Sequence, residues 1–412
     1  MTAPLSAQVA QRLEALAGGL SAVGVALSGG GDSMALMHLA AEWRGPRRLM
    51  AATVDHRLRP ESGDETRFAA RAAAALHIPH EVLVWQHDGR FANLMADARA
   101  ARLRLLGDWA ARNGLQAVLL GHTLDDQAET VLMRLARGAG VDGLSGMAAS
   151  RHSGGIAWLR PLLAIRRDRL RDWLRGQGVG WIDDPSNQNT DYDRVRIRQA
   201  IGQLGLSPDN LAQVAENMGS ARQALQHCAA RICWDATAHA GALTLPAGDF
   251  ADAPFEIRRR IIAAALRWVT GVDYAPRRDK IAHLLDAIAN GARATLGGVI
   301  VQRRGGAIRL IREPAAAMRA TDCRASGRPV IWDNRWRIAG LSPSCHVRAL
   351  GHQPLATLDW RAGGLSRDEA AASPAIWHGD RLIAAPLLPH GPEIAVEPLR
   401  NASDFHGMLI SH

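Results

Sequence analysis

Short apolar runs alternate with longer amphipathic stretches through the first half of the chain. Residues 23–27 (Val-Gly-Val-Ala-Leu), 49–54, 80–84 and 116–120 read as strands, with helical patterns over 33–44, 62–76 and 93–113 between them. Alternation of this kind predicts an α/β domain, a parallel sheet covered by helices on both faces. Ligands of such sheets gather at the carboxyl ends of the strands, so the residues after 27, 54 and 120 become the candidates for chemistry. From about 206 the pattern turns mostly helical, over 210–236, 254–270 and 276–290. Two apolar runs, 295–302 and 307–311, then flank Gly305-Gly306 and predict a hairpin. Pro314 and the Ala-rich stretch after it read as a linker. Residues 325–412 carry many Trp, Pro and Gly with short apolar runs, which predicts a small β-rich terminal domain. The expected organisation is therefore a parallel-sheet domain at 1–205, a helical domain at 206–315 and a small C-terminal domain at 325–412.

Composition narrows the class. The 412 residues are 47% hydrophobic but only 5% aromatic, enough apolar material for two or three domains. No uncharged apolar run approaches the ~18 residues of a membrane helix. Residues 1–19 lack a basic leader followed by an apolar segment and cleavage site, so the expectation is a cytoplasmic protein with no membrane partner. Cys228, Cys233, Cys323 and Cys345 form no C-x-x-C pair and no zinc-finger spacing. The net charge is +9, carried almost wholly by arginine, since Lys280 is the one lysine. Residues 255–312 hold 12 basic and four acidic side chains, nearly the whole surplus. A localised excess predicts a surface that follows the phosphates of a polyanion such as nucleic acid.

The strongest motif follows the first strand: Ser28-Gly29-Gly30-Gly31-Asp32-Ser33. Glycines let backbone N–H groups turn inward around phosphate oxygens, the two hydroxyls add donors, and a following helix points its positive end at the anion. A carboxylate repels phosphate, so Asp32 fits if Mg²⁺ lies between them. A Walker loop would need Gly-Lys-Ser/Thr, and a dinucleotide loop G-x-G-x-x-G; neither is present. Ser-Gly-Gly-x-Asp-Ser after a first strand resembles the pyrophosphate loop of the N-type ATP-pyrophosphatase family, whose members adenylate a substrate and release pyrophosphate. The resemblance implies ATP as substrate and a nucleotide-binding catalytic domain at 1–205.

Two more polar clusters occupy strand ends. Val54-Asp55-His56-Arg57-Leu58-Arg59 follows the second strand, and Gly121-His122-Thr123-Leu124-Asp125-Asp126-Gln127-Ala128-Glu129-Thr130 follows the fourth and enters a helix. There Asp126 and Glu129 (i, i+3) and Asp125 and Glu129 (i, i+4) are neighbours. Acids in a first turn can simply complement the helix dipole. Beside His122 they can also hold Mg²⁺, bind an ammonium group or take a proton from an amine.

Together these motifs resemble the tRNA(Ile)-lysidine synthases within that family. The segments that carry the likeness are 54–59, Ala98-Arg99-x-Ala101-Arg102, 121–130, Gly143-Leu-Ser-Gly-Met147, Arg160-Pro-Leu-Leu163, Asp184-Pro-Ser-Asn187 and Arg194-Val-Arg-Ile-Arg198. Arg57 replaces a usually small residue, and Val195 replaces an Asn. The likeness is specific over about 20–200, weaker to 312, and not claimed beyond 320.

The resemblance implies ligation of L-lysine to C2 of the wobble cytidine of tRNA(Ile) with anticodon CAU, through an adenylated cytidine. Ser28 to Ser33 would cradle pyrophosphate, with Asp32 on Mg²⁺. Asp55, His56, Gly121 and His122 would lie along the nucleotide. Arg99 and Arg102 would meet phosphate or developing charge, and Arg194 and Arg198 the substrates. Asp125, Asp126 and Glu129 would hold the lysine, with Asp126 or Glu129 binding or deprotonating its amine. Asp32, Arg102, Asp126 and Glu129 are the expected catalytic residues. Rival members of the class fit less well. A tRNA thiolase needs cysteines that 1–205 lacks, and amidotransferase synthetases need a nucleophilic Cys at the chain start. NAD synthetase leaves the basic stretch without a task. A tRNA-binding protein with a decayed nucleotide site is the non-enzymatic alternative.

Overall fold

The computed structural model describes residues 3–43, 45, 48–58, 62–91, 93–183, 193–324 and 327–410. Arg44, Arg59 and the 184–187 segment lie outside them. The chain divides into two compact units, Met1–Arg222 and Gln223–His412.

The first unit is built on a six-stranded sheet in the order β3-β2-β1-β4-β6-β5. The strands are β1 (Ala22–Ala26), β2 (Arg48–Asp55), β3 (His80–Val84), β4 (Ala117–Leu119), β5 (Ser150–Ser153) and β6 (Ile156–Leu159). All neighbours are parallel except the β5–β6 hairpin at the edge. The crossover helices are α2 (Gly31–Trp43), α3 (Ser62–Ala75) and α4 (Leu94–Arg112), with α1 (Leu5–Ala17) preceding β1. Period-two alternation sorts the strand residues onto two faces. Val23, Val25, Leu27, Ala51 and Leu119 join one core with α1 and α2. Ala22, Ala26, Ala52, Val118 and Leu120 join another, with Trp109 and Leu106 of α4. The four strands read from sequence are present, and the short β5–β6 hairpin extends the sheet past them.

Further helices cover the carboxyl-end side: α5 (Leu124–Leu135), α6 (Val141–Leu144), α7 (Arg167–Gly176) and α8 (Asp193–Gln203). Helix α7 packs on α2, and α8 on α5. Helix α9 (Pro208–Ile232) leads into the second unit.

The second unit carries antiparallel sheets of five, four and three strands. In the five-stranded sheet the expected hairpin forms, residues 299–304 pairing with 307–312 across Gly305-Gly306. Helices over Phe255–Thr270, Arg278–Ala289 and Ala402–Ile410 bury Ile261, Ile262, Leu266, Ile281, Leu285, Phe405 and Leu409 in one core with Val299, Val301 and Leu310 of this sheet. The two smaller sheets lie within 323–398, so the C-terminal part is β-rich as the sequence predicted. Trp332 and Trp336 are opposite each other there and fully buried. The turn between them is closed by Arg335 N donating to Trp332 O at 3.0 Å, with Asp333 and Asn334 both at φ 51°.

Candidate active site

The Ser28–Ser33 loop leaves β1 and turns into α2 at Gly31, two residues before the start read from sequence. Gly29 takes φ 81°, a left-handed conformation that suits glycine. Ser33 Oγ ties the loop together. It donates to Gly30 O at 2.9 Å, accepts from Ser28 N at 3.1 Å and lies 3.1 Å from Ser28 Oγ. Gly121, at the end of β4, approaches so closely that a Cβ there would lie 3.2 Å from the Asp32 carbonyl and Ser33 Cα. The first- and fourth-strand motifs thus meet backbone to backbone.

Helix α5 begins in a capping box. Asp126 Oδ2 accepts from Thr123 N at 2.8 Å and from Thr123 Oγ1 at 2.9 Å. Capping therefore accounts for one oxygen of Asp126 and leaves the other facing the site. That oxygen meets Arg167, the first residue of α7 and one that no sequence motif singled out. Arg167 Nε donates to Asp32 Oδ2 at 2.9 Å, Nη2 to Asp126 Oδ1 at 3.1 Å, and Nη1 lies 3.8 Å from Glu129 Oε1. Arg198 adds a second cation, donating through Nε to Glu129 Oε1 at 2.9 Å. Asp32 Oδ1 and Glu129 Oε2 are buried and accept no hydrogen bond among the described residues.

Asp125 points elsewhere. It accepts from Arg167 N at 2.7 Å and Arg166 Nε at 3.2 Å, and so pins the start of α7. Arg166 also reaches Asp209 at 2.8 Å.

Charge states follow from this crowding. Burial raises the Asp32 carboxyl, against the pull of Arg167. Burial likewise raises Glu129, opposed by Arg198. For Asp126 burial also pushes upward, but Arg167 and the Thr123 donors outweigh it and hold the carboxyl below its usual range. Burial works against the charge of Arg167, and Asp126 and Asp32 overcome it, so its pKa is raised.

A second cluster carries the opposite charge. Burial, with Arg194, Arg134 and Arg151, lowers the pKa of Arg99; burial, with Arg99 and Arg194, lowers that of Arg102. Arg160 is pushed down to about 10 by burial, with Arg99 and Arg151 adding. Arg99, Arg102, Arg151, Arg160 and Arg194 form no ion pair among the described residues. Arg99, Arg102 and Arg194 were expected from the sequence as site residues and Arg160 only as part of a motif; Arg151 and Arg160 bring β5 and the end of β6 into the cluster. His122 feels the charge of both clusters. Burial pushes its pKa down to about 3, Asp126 opposes this, and Arg160, Arg102 and Arg99 reinforce it, so the ring is neutral.

At the end of β2, Asp55 Oδ1 accepts from Arg57 N at 2.9 Å, and Arg57 takes φ 51°. The His56 ring packs edge-on to Trp85 at 5.8 Å, and Trp85, His87 and Phe91 cluster at 4.6–5.2 Å. The alternation of apolar residues around 83–91 carried no signal for this aromatic wall.

The basic stretch 255–312 is partly neutralised. Arg259, Arg260 and Arg278 all pair with Glu256, Arg293 with Asp368, Arg309 with Glu369 and Arg312 with Asp333. Arg277, Lys280, Arg303 and Arg304 are exposed and form no ion pair among the described residues.

One carboxylate beside a phosphate cradle suits Mg²⁺, which takes one or two protein carboxylates and completes its shell with phosphate and water. The unpartnered Asp32 Oδ1 fits that demand. No group of three His, Cys, Asp or Glu side chains among the described residues converges as a metal cage. No helix among them is long and apolar enough to cross a membrane.

Residues 2–204 match the family described as PP-loop domain. The chain is 42% identical to a tRNA(Ile)-lysidine synthase of Ruegeria pomeroyi, over 95% of this chain and 94% of that one. It is 40% identical to the tRNA(Ile)-lysidine synthase of Methylobacterium nodulans, over 74% of this chain and 95% of that one. Among solved structures, a U34-tRNA thiolase from Methanococcus maripaludis is 18% identical with a TM-score of 0.45, covering 52% of this chain and 77% of that one.

Proposed function

The chain belongs to the tRNA(Ile)-lysidine synthase family, built on a PP-loop domain, and from that premise we propose that it joins L-lysine to C2 of the wobble cytidine of tRNA(Ile) with anticodon CAU. One observation carries the reading beyond the family name. The phosphate loop and the acids of α5 meet at a single point, so a nucleotide site and an amine site share a wall.

The reaction takes two steps. The cytosine O2 attacks the α-phosphorus of ATP, and the bond to pyrophosphate breaks. The lysine Nζ then attacks C2, the C2–O bond breaks, and AMP leaves with that oxygen. The Ser28–Ser33 loop would hold the β- and γ-phosphates through backbone N–H groups and the two hydroxyls. Mg²⁺ held by Asp32 would neutralise charge on the departing pyrophosphate. Arg102, with Arg99, would stabilise the α-phosphate as its charge develops. The aromatic wall at His56 and Trp85 would flank the adenosine. Lysine arrives with an amine pKa of about 10.4 and must lose a proton to attack; Asp126 or Glu129 would bind the ammonium and take that proton. The target base lies in a single-stranded anticodon loop, so exposing it costs little.

Residues 1–205 are thereby assigned to catalysis and 206–315 to the tRNA stem. The substrates are those of the cytoplasm. Purified protein with ATP, Mg²⁺, radiolabelled L-lysine and the tRNA transcript tests the proposal. Label should enter tRNA with AMP formed in step. AMP and pyrophosphate without label would overturn lysine as substrate. No AMP at all would favour a tRNA-binding protein.

A further inference from the structure

We propose that the second unit holds a pocket for one unpaired pyrimidine of the bound tRNA, taking the ring between apolar side chains and the adjoining phosphate on Arg258 and Arg303. The inference rests on the assignment of 206–315 to tRNA and adds a base to the stem contacts.

A cavity of about 130 Å³ opens among the short helix Gly248–Asp252, the helices Phe255–Thr270 and Arg278–Ala289, and the hairpin 299–312. Phe250, Leu285, Ile288 and Ile308 form its inner wall and are buried. Ala251 and Ala289 are exposed and mark its mouth. Ala247 N donates to Gly306 O at 2.9 Å, which ties the hairpin turn to the start of the short helix and fixes two walls against each other. An apolar cavity of roughly 150 Å³ holds benzene, so the space matches one six-membered ring better than the fused rings of a purine.

Two guanidinium groups line this recess and no acid does. Arg259 and Arg260 are drawn to Glu256. Arg258 and Arg303 form no ion pair among the described residues, and Arg258 Nε is buried without a hydrogen-bond partner there. Asp249, Asp252 and Asp286 sit on the same helices but are exposed and outside the walls. A ring-sized apolar recess beside uncompensated cations suits an aromatic ring that carries an anion. A nucleotide combines the two, and guanidinium groups can stack on its base as well as pair with its phosphate. Only an unpaired base can leave its stack to enter such a recess.

The test measures tRNA affinity over a salt series with ATP and lysine absent. A transcript carrying 5-fluoropyrimidines reports the base itself through its fluorine resonances. A289F fills the mouth and leaves every charge in place. It should weaken tRNA binding by about tenfold at unchanged salt slope, and a fluorine resonance shifted by the wild type should return to its free position. R304A, an exposed cation outside the walls, should lower the slope by about one and keep the shifted resonance. R303A should lower the slope and lose that resonance. A251F fills the recess from another wall and decides the question if A289F does not fold. Folded filling variants that bind tRNA within about twofold of wild type, or that leave the fluorine spectrum of the complex unchanged, overturn the proposal. A wild type that binds no tRNA removes the tRNA reading and this inference together. A wild type that binds tRNA but incorporates no lysine sinks only the ligation reading, and the filling variants still judge the pocket.

Discussion

On the proposed reaction, Asp126→Asn should separate the two half-reactions. The native carboxylate uses one oxygen for the Thr123 cap and the other for Arg167. An amide has one acceptor. If its oxygen stays on Thr123, its NH₂ faces the Arg167 donor; if it turns, the NH₂ faces the Thr123 N–H. Either way one charge-assisted hydrogen bond is removed, worth about 1.5–3 kcal/mol. Relief of repulsion among Asp32, Asp126 and Glu129 returns part of this, since Asp126 pushes both other acids upward. A net cost of about 1–2 kcal/mol corresponds to a melting temperature lower by roughly 2–8 °C in a unit of this size. The functional loss should be larger and selective. Lysine transfer at subsaturating lysine should fall by about a hundredfold, the scale of removing a positioned charge contact, while tRNA-dependent pyrophosphate release stays within a few-fold. Thr123→Ala is the control: it removes the hydroxyl cap, costs about 1 kcal/mol, and should leave lysine KM near wild type. Label incorporation and pyrophosphate release are measured on the same preparations. If Asp126→Asn depresses both steps equally, Asp126 does not belong to the amine half of the site and the two half-reactions do not divide between the clusters in this way.

Four further variants probe other parts. Gly121→Ala places a methyl 3.2 Å from the Asp32 carbonyl and Ser33 Cα; it should cost about 1–3 kcal/mol and raise the KM for ATP, read from thermal melts and AMP formation. His122 has a folded pKa of about 3 against an ordinary value near 6.5, so its contribution is fully present above pH ~6.5 and drains away as pH falls towards 3. His122→Asn should therefore lose less melting temperature than wild type between pH 7.5 and about pH 5, and equal slopes would contradict the buried neutral ring. Replacing the exposed Arg303 and Arg304 by Ala should weaken tRNA binding and flatten its salt dependence by about one unit of log–log slope for each phosphate no longer neutralised. Arg312→Ala, which breaks the pair with Asp333 at 2.7 Å, should instead lower the melting temperature.

What the sequence could show depended on how far apart the partners lie. The phosphate loop was legible because strand, glycines, Asp32 and helix are contiguous, and the α5 acids because they follow a strand end directly. Arg167 was not, for it sits 135 residues from Asp32. Its neighbourhood, Arg166-Arg-Asp-Arg-Leu-Arg171, reads as a charged amphipathic helix in which every arginine looks alike. Only the register of α7 against α2 selects which one enters the site. The basic stretch posed the same difficulty in reverse. Three of the acids that neutralise it, Asp333, Asp368 and Glu369, lie beyond residue 325, so counting charge within 255–312 overstated the free surface. Strands β5 and β6 escaped notice because four residues each carry too few periods to register.

The two charge clusters bear on why such chemistry needs this arrangement. The proposed ligation would bring a polyanion, ATP on tRNA, and a cation, the lysine ammonium, to a single carbon. A uniformly basic pocket would gather the first and repel the second; a uniformly acidic one would do the opposite. Here the arginines around Arg102 and the acids around Arg167 form separate groups, and His122, neutral because both burial and the arginines oppose its protonation, feels both without adding charge to either. The same arginine field lowers the basicity of an amine that approaches it. A lysine held by Asp126 and Glu129 would thus be bound as an ammonium and lose its proton more readily as it advances towards the adenylated base. On the proposed reaction the nucleophile would then be activated by a gradient across the site, and neutralising Arg102 should shift the pH dependence of lysine transfer to higher pH as well as slow adenylation.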